Sequence, residues 1–226
     1  MTREQPFSAS HALIKDWLEA LKANYLDTGL IMMQTAQLRQ QIKAQRRQLS
    51  RQTCKQHSLQ LLDHAKNYKP FRQSRRIAFY HAVSGEIDPK PLLEEALRSG
   101  KTPYLPILRQ DASIGLWFAP YTHQAKLKLN RFGIPEPAVV HRKLIKPWSL
   151  DMVFVPLVAF DDHGHRMGMG GGFYDRTFAF KLQRSHLTGP TMVGLAHNLQ
   201  HRPLINTNPW DIPLDSVITE SHLYQF

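Results

Sequence analysis

From Arg76 onward, short apolar runs alternate with helical patterns. The stretch "RIAFYHAV" from Arg76 predicts a strand. It is followed by "DPKPLLEEALRSG", which sets Leu92, Leu93, Ala96 and Leu97 at helical spacing between an Asp88 N-cap and a terminal Gly100. "PYLPIL" and "GLWFAP" predict two further short strands, and "DMVFVPLVAF" is almost uninterrupted in its apolar character, as expected of a strand covered on both faces. "TMVGLAH" near the C-terminus resembles it. Strand, helix and strand in succession predict an α/β fold with a mainly parallel sheet and right-handed crossovers.

The N-terminal part reads differently. "SASHALIKDWLEALKANYL" carries Leu13, Trp17, Leu21 and Tyr25 at helical spacing before "DTGL" breaks the pattern. Residues 1–33 are therefore expected to stand apart from a single α/β domain over 34–226. An ancillary helix and a start placed upstream are both open explanations, because Met32 and Met33 stand where the next helix begins. In that helix, "QLRQQIKAQRRQLS", one stripe holds Leu38, Ile42, Gln45 and Leu49, and another holds Arg39, Lys43 and Arg46 or Arg47. The prediction is an amphipathic helix with a cationic face.

With 226 residues, 42% of them hydrophobic, the chain can bury a substantial core. No apolar run approaches the roughly 20 residues needed to span a bilayer, and no signal-peptide core is evident, so the expected compartment is the cytoplasm. The single cysteine, Cys54, excludes an internal disulfide and a thiolate metal cluster. The net charge of +11 is concentrated: residues 35–76 hold 11 Lys or Arg and one acidic residue, Asp63, which gives 11 − 1 = +10. Such a block suits nucleic acid, a polyanionic small molecule or plain solvation. Few aromatics lie between the cations and no nucleic-acid module is recognisable, so specific nucleic-acid binding is not expected.

The candidate chemistry lies in "RMGMGGGFYDR", Arg166 to Arg176. Ordering glycine costs up to about 1 kcal/mol relative to alanine in a regular element, and a tight turn would explain two glycines more easily than four. The stretch follows "DMVFVPLVAF" and precedes the helical pattern "FYDRTFAFKLQR", which places it at the carboxyl end of a strand, where open α/β sheets bind ligands. It is not a Walker loop, since no lysine followed by Ser or Thr stands there, and it lacks the tight turn and downstream acidic residue of a dinucleotide fingerprint. What survives is a glycine-rich strand-to-helix turn suited to phosphate, flanked by Arg166 and Arg176, with Asp175 able to hold a hard divalent cation. The histidines of "HGH" and "HNLQH" come without a matching carboxylate set, which argues against zinc.

Together, "VPLVAFDDHGHRMGMGGGFYDR", "QLRQQIKAQRRQLS", "IAFYHAVSGEID", "NRFGIPEP", "VGLAHNLQ" and "NPWDIPLDSVITE" closely resemble the ordered motifs of the 5-formyltetrahydrofolate cyclo-ligase family, over roughly Thr35 to Glu220. The resemblance implies a Rossmann-like three-layer α/β/α sandwich with a mainly parallel sheet. It implies an enzyme that acts on ATP and 5-formyltetrahydrofolate with Mg2+, releasing 5,10-methenyltetrahydrofolate, ADP and phosphate, and the chain is expected to act as a monomer.

It also implies roles. Arg166, Met167, Gly168, Met169, Gly170, Gly171, Gly172, Phe173 and Tyr174 would wrap the triphosphate, with Arg39 reaching in from the basic helix. Asp175 and Asp211 would hold magnesium. Glu86 would pair with the pterin's N–H donors, and His81 and Phe132 would wall the folate pocket. Tyr174 and Arg166 are the catalytic candidates. The chain departs from the family pattern at Thr35, where a lysine is common, at Trp210, where a histidine is usual, and mildly at Met169.

Overall fold

The computed structural model describes residues 32–109, 115–139, 141–183 and 189–226. The helix expected over residues 8–26, and all of the 1–33 extension except its last two residues, lie outside these. The chain divides into two compact units, Met1–Gln40 and Gln41–Phe226. In the first, the described residues are helical and belong to helix α1, residues 32–48.

In the second unit, α2 (Arg51–Asn67) starts at Ser50, whose hydroxyl accepts from the Thr53 amide at 3.0 Å. The short helix α3 (Lys69–Gln73) leads into β1 (Arg76–Ala78). Then come α4 (Lys90–Arg98), β2 (Thr102–Leu108), β3 (Leu116–Pro120) and a small hairpin of β4 (Leu127–Leu129) and β5 (Pro135–Pro137). Strand β6 (Met152–Pro156) precedes a second hairpin, β7 (Ala159–Phe160) with β8 (Arg166–Met167). Helices α5 (Phe173–Phe178) and α6 (Phe180–Gln183), then strands β9 (Thr191–Leu195), β10 (Ser216–Ile218) and β11 (Leu223–Gln225), complete the order.

The main sheet runs β11-β10-β9-β6-β1-β2-β3, parallel throughout except at its two edge pairs. Its five parallel strands read 2-1-3-4-5 in their own chain order, the flavodoxin-like arrangement, with the order reversing between β1 and β6. Side-chain alternation covers both faces. Met152 and Phe154 of β6 pack with Leu61 and Ala65 of α2 and Leu92 and Ala96 of α4, whereas Val153 and Val155 pack with Phe160 and Phe178 on the opposite side. The expected three-layer α/β architecture is therefore present. Among the described residues, no helix is long and apolar enough to cross a membrane.

The local expectations need four corrections. The strand from Arg76 leaves the ladder after Ala78, and the following residues form the loop of the crevice described below. Helix α4 begins at Lys90, with Pro89 in the capping position; Asp88 still serves its start, accepting from the Lys90 amide at 3.0 Å. Gly100 ends it as predicted, with a φ of 72° and the Lys101 amide reaching back to the Ala96 carbonyl at 2.9 Å. The apolar run 151–160 is two strands in two different sheets, because the chain turns at Leu157 and Val158; both pieces are buried, so hydrophobicity alone does not mark the break. On α1, finally, Gln45 is exposed, and Arg46 takes a place on the buried face, 1% exposed.

Candidate active site

The strand order opens a crevice at the carboxyl ends of β1 and β6. The segment after β1 turns back on itself: the Tyr80 hydroxyl donates to the Ile87 carbonyl at 2.9 Å, and the Glu86 carboxylate accepts from the Val83 amide at 3.1 Å. Ser84 and Gly85 both have positive φ at this turn, and a Cβ on Gly85 would stand 3.2 Å from the Arg46 carbonyl. Arg46 joins the two sides of the switch point, donating to the Leu157 carbonyl after β6 at 3.2 Å and to the Ser84 carbonyl after β1 at 3.1 Å. Gln200 closes the same corner, its side-chain amide donating to the Leu157 and Val158 carbonyls at 2.8 and 3.0 Å. The sequence pattern did not single out Gln200, and it put Arg46 on a solvated stripe; its position four residues after Ile42 was the available signal.

The glycine loop lies beyond this corner, after the β7–β8 hairpin that the uninterrupted apolar run had concealed. Asp161 holds that hairpin, accepting from the His163 and His165 amides, the His165 ring and the Ile205 amide. Gly170 and Gly172 have φ of 98° and 60°, conformations that side chains rarely adopt, and Gly172 caps α5 from the left-handed region. Gly168 differs: its φ is not positive, and a Cβ added there would meet no atom within 4 Å, as at Gly170. Neither backbone strain nor packing within the protein requires glycine at 168. A ligand that must come close to the main chain would.

The predicted acidic pair meets through the backbone. Asp175, in the first turn of α5, accepts on Oδ1 from the Arg166 guanidinium and from the Ile212 amide, the residue directly after Asp211. Asp211 in turn accepts on Oδ2 from the Asn208 amide at 2.8 Å. Each aspartate so keeps a second oxygen without a hydrogen bond among the described residues, a donor set that fits a hard divalent cation. Arg166 is buried, bonded to Asp175 and to the Ile212 carbonyl, and Met167 is buried beside it, whereas Met169 is exposed.

Burial, reinforced by the Glu86 carboxylate and opposed by Arg166, pushes the Tyr174 hydroxyl well above its ordinary pKa, so it stays protonated and can donate a hydrogen bond. Burial likewise raises the Glu86 carboxyl, against the Val83 hydrogen bond and the charges of Arg46 and Lys43. The Glu86 carboxylate contributes to the upward shift at Tyr174, so the two side chains lie near one another. His81 is held neutral by burial, against the pull of Asp88, and its buried Nε2 has no partner. Phe132 is exposed and sits edge-on to Phe173 with ring centroids 5.8 Å apart, so it borders the start of α5 instead of filling the core. A cleft of about 790 Å³ reaches Glu86, with Arg47, Arg51, Lys55 and Lys90 among its lining residues. Arg39 lies on α1 within the first unit.

One expectation about the histidines is overturned in part. His197, from the "HNLQH" stretch, does have a carboxylate nearby: Glu220 and His57 converge on it from 23 and 140 positions away in sequence, a distance over which spacing carries no signal.

A sequence model of the 5-formyltetrahydrofolate cyclo-ligase family matches residues 31–220. The 5-formyltetrahydrofolate cyclo-ligase of Escherichia coli is 36% identical over 185 residues, which cover 82% of this chain and 100% of that one. The enzyme of the same name from Haemophilus influenzae is 35% identical over 188 residues, 83% of this chain and 95% of that one. Among solved structures, the NMR structure of Aquifex aeolicus 5,10-methenyltetrahydrofolate synthetase superposes with a TM-score of 0.70 at 29% identity, covering 84% of this chain and 92% of that one.

Proposed function

The chain belongs to the 5-formyltetrahydrofolate cyclo-ligase family, and from that premise we propose that it converts 5-formyltetrahydrofolate to 5,10-methenyltetrahydrofolate, using ATP with Mg2+ and releasing ADP and phosphate. The observation that carries the proposal is the pairing of Gly168 and Gly170, where an added Cβ would meet no described atom within 4 Å, with an oriented carboxylate, Asp175, at the start of the helix that follows.

The reaction asks for a better leaving group than a formamide oxygen. Transfer of the γ-phosphoryl group of ATP to that oxygen supplies one; the 10-nitrogen then bonds to the formyl carbon, and the C–O bond breaks with release of phosphate. Mg2+ contributes neutralisation of the phosphate charge during transfer. The loop Gly168–Gly172 brings backbone close to the triphosphate, and Arg166 acts by fixing Asp175. Asp175 and Asp211 would hold the metal through the oxygens that make no hydrogen bond among the described residues. Glu86 accepts from the pterin N–H groups, His81 offers its unpartnered Nε2 to the folate, and Tyr174 keeps its proton and donates a hydrogen bond at the reacting formyl group. The cations around the Glu86 cleft suit the carboxylates of the folate's glutamate tail. Phe132 adds an apolar edge.

Appearance of methenyl absorbance on mixing the chain with 5-formyltetrahydrofolate, ATP and Mg2+, and its absence when ATP is left out, is the expected result. Tight folate binding with no ATP-dependent product would replace the enzyme by a folate-binding protein.

A further inference from the structure

Away from the glycine loop, ligating side chains from three separate parts of the fold converge. His57 lies on α2, His197 follows β9 and Glu220 follows β10. The Nδ1 atoms of His57 and His197 are 2.9 Å apart, Glu220 Oε1 is 3.7 Å from His57 Nδ1, and all three donor atoms lie within 4.8 Å of one another. His197 is completely buried.

The hydrogen bonding around the cluster orients it. Glu220 Oε2 accepts from the Asn198 amide at 2.9 Å, which leaves Oε1 turned to His57. The two imidazoles face one another through Nδ1, and neutral imidazole is the form that ligates a metal. The Nε2 of His197 is buried and makes no hydrogen bond of good geometry among the described residues, although the Gly85 backbone lies close to the ring. Leaving such a nitrogen unpaired is unfavourable. A metal on Nδ1 would force the proton onto Nε2, giving the arrangement usual for ligating histidines, in which the second nitrogen donates to a backbone or carboxylate oxygen.

We propose that His57, His197 and Glu220 form a three-ligand site for a divalent transition metal of the zinc class, distinct from the pair Asp175 and Asp211. Two imidazoles and one carboxylate match zinc, not magnesium, which favours oxygen ligands. Tetrahedral zinc with bonds of about 2.0–2.1 Å sets ligand nitrogens about 3.3 Å apart, so the two rings separate by a few tenths of an ångström and the carboxylate moves inward. The side chains of His57 and Glu220 are 19% and 13% exposed, which provides the path of entry. The bound ion ties α2 to the ends of β9 and β10 and, through His197, stiffens the Gly85 turn that carries Glu86.

The test uses the full chain stripped with chelator, titrated with Zn2+ by calorimetry and with Co2+ by visible absorption. One equivalent of Zn2+ should bind at micromolar concentration or below and raise Tm by roughly 5 °C at saturation, and Co2+ added to the stripped chain should show four-coordinate absorption bands that Zn2+ abolishes. His57→Ala and Glu220→Gln should each lower zinc affinity at least ~10-fold and remove the bands, while circular dichroism confirms that both are folded. Asp175→Ala and Asp211→Ala should leave zinc affinity unchanged. No binding below about 100 μM, or equal binding by wild type and both ligand variants, would overturn the site. So would loss of zinc binding in the aspartate variants alone.

Discussion

Replacing Gly168 by alanine separates folding from ligand binding more cleanly than any other change in the glycine loop. At Gly172, a φ of 60° and an Arg176 guanidinium 2.9 Å from the added Cβ confound the two, and at Gly170 the φ of 98° does so. Forcing a side chain into a left-handed conformation costs roughly 1–2 kcal/mol before any ligand is considered. Gly168 has neither obstacle, with no positive φ and, among the described residues beyond its chain neighbours, no atom within 4 Å of the new methyl group. Alanine there should stabilise the fold by about 0.4–1 kcal/mol through the unfolded chain, raising Tm by about 1–4 °C. Against bound triphosphate the same methyl group is an overpacking defect worth about 1–3 kcal/mol, or an increase of about 5- to 150-fold in KM for ATP. The folate affinity measured without nucleotide should stay within twofold. Thermal unfolding, steady-state kinetics against ATP and folate titration together test the argument. An unchanged ATP KM in a folded Gly168→Ala protein would refute close approach of phosphate to this backbone.

Three further outcomes follow from the same geometry. Asp211→Ala should need at least ~10-fold more Mg2+ for half-maximal turnover at nearly wild-type Tm, because Asp211 bonds only to Asn208 nearby; Asp175→Ala should also lose about 3 kcal/mol of stability by stranding the buried Arg166, and full turnover of Asp211→Ala at low Mg2+ would remove it from the metal site. Arg46→Met should destabilise the fold by about 2–4 kcal/mol, since it takes the donor from two carbonyls at the switch point, whereas exposed Arg47→Met should stay within about 0.5 kcal/mol; equal denaturant midpoints for the two would contradict the clamp. For Asp161, burial raises the carboxyl but the His165 ring and three amides more than offset it, leaving the folded pKa below the ordinary value. Its stabilisation is then complete above an unfolded pKa of about 3.9 and lost as pH falls through the lower folded value. Thermal unfolding of Asp161→Asn should show a constant deficit between pH 5 and about 8 that shrinks below pH ~4, and a deficit that grows on acidification would contradict the assignment.

Local chemistry made several features legible in the amino-acid sequence. The stop at Gly100 needs only a left-handed residue after an apolar helical stripe, and the exposure of both sheet faces to packing is written in the unbroken apolarity of Met152 to Val155. The four glycines after Arg166 pointed to a backbone made for close approach, since a tight turn explains two of them more easily than four. Motif order added the family, and with it the expectation that Asp175 and Asp211 cooperate.

Other features depend on who meets whom. Arg46 and Arg47 are adjacent and chemically identical, and only the packing of α1 decides that one is buried against the Leu157 and Ser84 carbonyls while the other is solvated. The turn at Leu157 was hidden because strands in two different sheets share the same buried composition. The meeting of Ile212 with Asp175 and of His57 with His197 and Glu220 follows from strand order, in which β6, β9 and β10 lie side by side although long segments separate them in the chain. Periodicity reports the environment of a residue within a turn or a strand; the choice of partner across 37 or 140 positions is settled only when the sheet assembles and the loops at its carboxyl ends are forced into one crevice.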